Sequence, residues 1–285
     1  MPQTSDQLRA DAMAIWRAGV EAVRPARLMR DAVQPDGNHL LIDGEPIELT
    51  KVGRLVVVGA GKAGAGMAIA MEEILGPQIL REKQVAGWIN VPADCVVETT
   101  CIHLHAARPA GVNEPTAEGA YGARQIVDLV AGLEPSDLCI CLISGGGSAL
   151  LPAPIEGFPL ADKVDLTREI AARGGSIEQL NAVRRELSEV KGGGLARRCG
   201  AGRLYTLILS DVLGDDLATI ASGPTVLRRP TPQLAIDTLA ELGLSDHPAG
   251  RHAIELLTER RKAQSQGDAP HMRPELHVRN TVIGN

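Results

Sequence analysis

Aromatic side chains are scarce in this 285-residue chain, which has one Phe, two Tyr and two Trp. That excludes a stacking platform for single-stranded nucleic acid, which lays its bases on exposed rings. It also leaves the core to Ala, Val, Ile and Leu, which suit closely packed α/β layers. A positive charge excess is lacking too: 35 acidic residues outnumber 29 basic ones, for a formal charge of −6. No general affinity for polyanions follows, although local phosphate pockets stay open. There is no run of 18 apolar residues and no signal-like apolar segment, so the sequence reads as cytoplasmic and free of the membrane. Cys95, Cys101, Cys139, Cys141 and Cys199 form no C-x-x-C pair, and Cys139 and Cys141 read as buried free thiols. The P-loop pattern G-x-x-x-x-G-K-[ST] and the nucleophile elbow G-x-S-x-G are both missing.

What is present is an alternation of strand and helix signals. Leu8, Ala12, Ile15 and Trp16 fall at helical spacing behind Thr4 or Ser5 as a cap. Residues 31–50 read as a hairpin or loop. Apolar runs predict strands at Leu55–Val58, around Val85, between Cys95 and Leu104, at 138–143, at Leu204–Leu209 and at Leu276–Ile283. Helices are expected after Gly64 to a stop at Gly76-Pro77, then at Thr116–Ala131, Leu160–Ala172, Ser176–Val190, Gln233–Leu242 and His252–Arg261. Strands apolar on both faces, alternating with helices, predict a three-layer α/β/α domain with a mainly parallel, Rossmann-like sheet. The tract 265–274 reads as flexible.

Ligands of open parallel sheets bind beyond the carboxyl ends of the strands. Three predicted strands deliver unusual residues at that edge. Leu55–Val58 leads into Gly59-Ala60-Gly61-Lys62-Ala63-Gly64, a G-x-G-x-x-G in strand–turn–helix context. A dinucleotide site would want an acid at the end of the next strand, where this chain has Asn90-Val91-Pro92. Lys62 opposes the helix dipole unless an anion lies between them; the plainer reading is a glycine turn with a solvated lysine. The second loop is Ser144-Gly145-Gly146-Gly147-Ser148, whose glycines free backbone N–H groups to face an anion. The third begins at Ser210-Asp211, where Asp211 suits a proton acceptor or a Mg²⁺ ligand. Asp215-Asp216 reads better as a helix cap, and Ala221-Ser222-Gly223-Pro224-Thr225 follows. Asn181, Arg184 and Lys191 add polar and cationic groups, and the seven-residue step from Arg184 to Lys191 puts both on one helical face. His103 and His105 share a strand face, but no third metal ligand stands at a familiar spacing.

In order and spacing, GAGKAGAGMA, LISGGGSALLPAP, LNAVRRELSEVKGGGLA and LSDVLGDDLATIASGPT resemble the N-terminal domain of the MOFRL-type glycerate 2-kinases, also called hydroxypyruvate reductases. The resemblance runs from about Gly53 to Thr225 and more weakly to the ends. It implies ATP-dependent phosphorylation of glycerate on its 2-hydroxyl, giving 2-phosphoglycerate and ADP, with Mg²⁺. It assigns Lys62, Asp211 and Arg184 as catalytic, with Gly61, Ser144, Gly145, Gly146, Gly147, Ser148, Asn181 and Lys191 binding the nucleotide and Asp211 the metal. It makes residues 1–285 one domain with the C-terminal MOFRL domain absent, the chain being a natural half, a truncated product or the partner of a separate polypeptide that carries that domain. The expected partners are that separate chain or a homo-oligomer. The family's H-P-x-P-D stretch is replaced here by Ala107-Arg108-Pro109-Ala110-Gly111, so Arg108 stays outside the assigned set. Two other readings stand beside the kinase: an NAD(P)H-dependent hydroxypyruvate or tartronate-semialdehyde reductase, and a non-catalytic ligand-binding remnant.

Overall fold

The computed structural model describes residues 4–266 and 275–285. Helix α1 (Ser5–Ala22) carries the expected cap, with Thr4 and Gln7 bonding reciprocally. Its apolar stripe nevertheless buries nothing, and Trp16 is 61% exposed. Helix α2 (Pro25–Ala32) follows, then an antiparallel sheet of β1 (Val33–Asp36), β2 (His39–Ile42) and β3 (Glu45–Glu48). The expected hairpin is there with a third strand added.

The main sheet has six parallel strands: β4 (Leu55–Ala60), β5 (Ala86–Pro92), β6 (Ile102–Arg108), β7 (Leu138–Ser144), β8 (Arg203–Leu209) and β9 (His277–Gly284). Their spatial order is β6-β5-β4-β7-β8-β9. The sheet therefore starts in its middle, grows one way, then reverses. That doubly wound order opens a crevice between β4 and β7, beyond their carboxyl ends. Every residue of β4 and β7 is buried, as two covered faces require. Residues before Ile102 form no strand, because the Thr100, Cys101 and Ile102 amides are bound by the Glu72 carboxylate.

Helix α3 (Gly64–Glu82) packs its Met67, Ala68 and Met71 on one sheet face, together with α2 and the antiparallel sheet. It does not stop at Gly76-Pro77: Gly76 turns left-handed (φ 65°), and Pro77 opens a further helical segment. Helices α4 (Ala117–Ala131), α5 (Gly147–Leu150) and α8 (Gly194–Arg198) cover the other face, where Cys139, Cys141 and Cys199 lie buried. Helices α6 (Leu160–Ala172), α7 (Ile177–Glu186), α9 (Pro232–Glu241) and α10 (Pro248–Ser265) share a separate apolar cluster without strand residues. Ser265 and Gln266 close α10; the rest of the tract expected to be flexible lies outside the described residues. No helix among the described residues is long and apolar enough to cross a membrane.

Candidate active site

The loops after β4 and β7 are stitched together at the crevice. Lys62 N–H donates to the Gly145 carbonyl (2.9 Å), and Ala63 N–H donates to Ser144 Oγ (3.0 Å). A Cβ on Gly61 would lie 2.0 Å from Ser144 Oγ, so glycine there is a requirement of the close approach. The Lys62 side chain is exposed and runs over Gly146, its Cε 3.4 Å from where a Cβ would stand. Gly146 takes φ 80° and opens α5. On the other side of this loop, the Asp211 carboxylate lies 2.4 Å from the position of a Cβ on Gly145. A lysine and a carboxylate thus flank two successive glycines.

Farther along, Ser148 gathers the cations. Arg184 Nη2 and Lys191 Nζ each donate to its Oγ at 2.8 Å, and Lys191 Nζ also donates to its carbonyl at 2.9 Å. Ser148 Oγ lies 3.2 Å from Ser222 Oγ, which donates to Asn181 Oδ1 at 3.2 Å. Around Ser222 the backbone is strained: Ala221 (φ 49°), Ser222 (φ 62°) and Gly223 (φ 60°) are left-handed in succession. For residues with a Cβ such conformations cost about 1–3 kcal/mol each and collect at functional sites. The Gly192 and Gly193 amides hold this segment through the Ser222 and Gly223 carbonyls (2.9 and 2.7 Å).

These groups border a cleft of about 280 Å³ lined by Ser144, Ser148, Asn181, Arg184, Asp211 and Ser222. Gly146 and Gly147 line it too, while Lys62 stands across Gly146 from it. Gly61 and Gly145 shape the loops from below, and Lys191 (1% exposed) sits behind Ser148.

Arg184 and Lys191 are not on one helix, because α7 ends at Glu186. Ser188 Oγ accepts the Val190 and Lys191 amides (3.4 and 3.3 Å), a local turn that competes with another helical turn. The two cations still meet, brought to Ser148 by the turn. Asp215 and Asp216 cap no helix, since none starts there: Asp216 caps a turn through Ala218 N–H and Thr219, and Asp215 accepts from Asn285 Nδ2 at 2.7 Å. His103 and His105 pack against Trp88 in a ring cluster. No group of three metal-ligating side chains occurs among the described residues. Asn90, where a ribose-binding acid would stand, is fully buried and bonds the Gly119 and Leu150 carbonyls (3.1 and 2.8 Å).

Three residues left out of the sequence assignment belong here. Arg108 (4% exposed) bonds Asn113 Oδ1 at 2.6 Å and brings Nη2 beside Gly146. Ser222 links Ser148 to Asn181. Lys163 of α6 is buried, and nothing in its sequence context marks it. Desolvation pulls the Arg108 and Arg184 guanidinium groups below their usual range, and pulls Lys191 well below its own, with Arg184 and Lys163 adding repulsion. Asp211 is the lining carboxylate nearest the glycine loop. One carboxylate with phosphate oxygens and water is a sufficient donor set for Mg²⁺, so the residues fit that ion.

A doubly wound α/β protein with a cation-rich cleft at its topological switch point is the class these features define. The chain belongs to the family described as "Domain of unknown function (DUF4147)", whose model matches residues 11–256. It is 36% identical over 293 residues to a glycerate kinase of Danio rerio, covering 98% of this chain and 56% of the relative. A putative hydroxypyruvate reductase of Agrobacterium vitis is 38% identical over 212 residues, covering 71% of this chain and 51% of the relative. The crystal structure of a glycerate kinase from Thermotoga maritima superposes with a TM-score of 0.74 at 28% identity, covering 98% of this chain and 59% of that one. The chain thus spans about half the length of the curated relatives it matches.

Proposed function

We propose that this chain carries the phosphoryl-transfer site of a glycerate kinase, which moves the γ-phosphoryl group of ATP to the 2-hydroxyl of glycerate. The observation that carries the reading is the convergence of Lys62, Asp211, Arg184 and Lys191 on one glycine-rich loop at the switch point. Phosphoryl transfer asks for positioned cations and a hydroxyl proton acceptor more than for a covalent nucleophile. The 2-hydroxyl oxygen forms the new P–O bond, the bond to the ADP oxygen breaks, and Asp211 receives the hydroxyl proton. Lys62 neutralises oxygens over Gly146, and the Ser144–Ser148 loop orients them. Mg²⁺, when bound, screens phosphate charge, and Asp211 is the residue to hold it. The same reading makes this chain the amino-terminal part of a two-domain kinase, with a second domain closing the cleft.

The test is a coupled assay with D-glycerate, ATP and Mg²⁺, following 2-phosphoglycerate through enolase. Loss of one group that stabilises transition-state charge costs about 10²–10³ in kcat, and that is the loss expected for Lys62→Ala. The names of some relatives favour a reductase, so NADH with hydroxypyruvate is run beside it. NADH oxidation without phosphoryl transfer would replace the kinase by that second reading.

A further inference from the structure

Lys163 has no place in the mechanism above, and its surroundings make it costly to the fold. It is 4% exposed, and its Nζ has no hydrogen-bond partner among the described residues. The neighbouring charges are of its own sign: Arg184 on α7 and Lys191 beyond it. The carboxylates of its own helix are turned elsewhere. Asp162 bonds His252 of α10 at 2.8 Å, Asp165 faces His247 at 3.7 Å, and Glu169 accepts from Arg173 at 3.4 Å. Among the described residues, none of the three side chains has a carboxylate within ion-pairing distance, and Arg184 Nε is buried without a partner as well. Burial beside like charges without a counter-ion penalises the protonated form of each of these groups. An apolar side chain would fill the Lys163 position at lower cost. Such a cluster suits an anionic partner, and the cleft adjoins it: Val164, next to Lys163 on α6, and Thr167, one turn on, line the cleft with Ser148 and Arg184.

We infer that Lys163, Arg184 and Lys191 form a three-cation subsite at the Ser148 end of the cleft, which takes one compact anionic group of the ligand. This deepens the phosphoryl-transfer reading, resting on it only for the identity of the ligand. The anionic group is a carboxylate if the acceptor occupies the subsite, or a phosphate if the nucleotide does. Burial beside Arg184 brings Lys163 to about 7, so with no anion beside it the amine is largely neutral above that pH. Arrival of an anion restores its proton, and binding is coupled to proton uptake.

Sulfate is the probe, since it carries two charges throughout the range and does not titrate. Its affinity is measured by calorimetry on the 285-residue chain and on Lys163→Met between pH 6 and 8.5. A charge-assisted hydrogen bond is worth about tenfold or more in affinity. We therefore expect Lys163→Met to bind sulfate about tenfold more weakly at pH 6, the two proteins converging as the pH rises above 7. Equal affinities at pH 6 would overturn the subsite. If Lys163→Met does not fold, the wild-type chain decides: titrations at pH 7.5 in two buffers of different ionisation enthalpy must show proton uptake, and its absence refutes the assignment. Displacement of sulfate by D-glycerate identifies a carboxylate occupant, displacement by tripolyphosphate a phosphate one, and displacement by neither overturns the proposal. No turnover is involved, so failure of the kinase reading leaves this result standing, and the reverse.

Discussion

A single methyl group at Gly145 would come 2.4 Å from an Asp211 carboxylate oxygen. The carboxylate is at the end of an exposed side chain, so it can move aside without unfolding the loop. Gly145→Ala is therefore expected to keep its melting temperature within a few degrees while kcat falls about 10²-fold, as when a single electrostatic contact is lost. A similar melting temperature with unchanged kcat would remove Asp211 from the mechanism. Lys163 makes the opposite kind of prediction, one of stability. Its pKa is lowered to about 7 in the folded chain from the ordinary 10.5. Between those values the unfolded chain holds a proton that the folded chain has released, so stability rises with pH, by about 1.4 kcal/mol per unit from this group. Below pH 7 the whole cost of the buried ammonium is present. In Lys163→Met that slope is absent, so urea denaturation from pH 7 to 9 must show wild type gaining on the variant. Parallel curves would mean that Lys163 is solvated. None of this was legible in the sequence, where DKVDLTREIAAR reads as an ordinary solvated helix face. The burial of Lys163 comes from α7 and α10 packing on α6, a tertiary event no local pattern encodes. Lys62, Ser144–Ser148 and Asp211 were legible because each ends a strand with residues a plain turn does not need.

Among the elements, the strands followed from the sequence most directly, since LVVV and LCICLI are apolar on both faces and admit only a covered position. Element ends were harder to read. Helix α7 stops at Glu186 because Ser188 offers its own hydroxyl to the next amides, and periodicity does not register that competition. The antiparallel sheet was only half visible, its four-residue strands being short and two of them holding Pro35 and Pro46. The left-handed run from Ala221 to Gly223 was invisible, since Ala and Ser seldom adopt that conformation. Replacing Ala221 by Gly relieves a left-handed penalty of about 1–2 kcal/mol and gives back part of it as unfolded-chain entropy. We expect Ala221→Gly to be more stable by about 1 kcal/mol in denaturant titrations. A loosened loop should also raise KM for the ligand that contacts Ser222. A destabilised variant would show that the strain is absent.

At the scale of the whole molecule, the sheet order puts the β4 and β7 loops side by side although 83 positions separate Gly61 from Ser144. The composition foretold layered α/β packing but not the separate helical cluster of α6, α7, α9 and α10 that supplies one wall of the cleft. A ligand bound across that wall and the sheet should stabilise the chain as a unit, by about 2.7 kcal/mol at a hundredfold excess over Kd. A thermal melt with and without saturating ATP and Mg²⁺ measures it.

A kinase site requires the switch-point loops to bind a nucleoside triphosphate and not a nicotinamide dinucleotide. Calorimetric titration of the chain with ATP and Mg²⁺ and, separately, with NADH tests this directly, with Lys62→Ala alongside. Saturable ATP binding is expected, weakened about tenfold or more in Lys62→Ala as a charge-assisted contact is lost, with no NADH binding. NADH binding in preference to ATP, or an ATP affinity indifferent to Lys62, would contradict it.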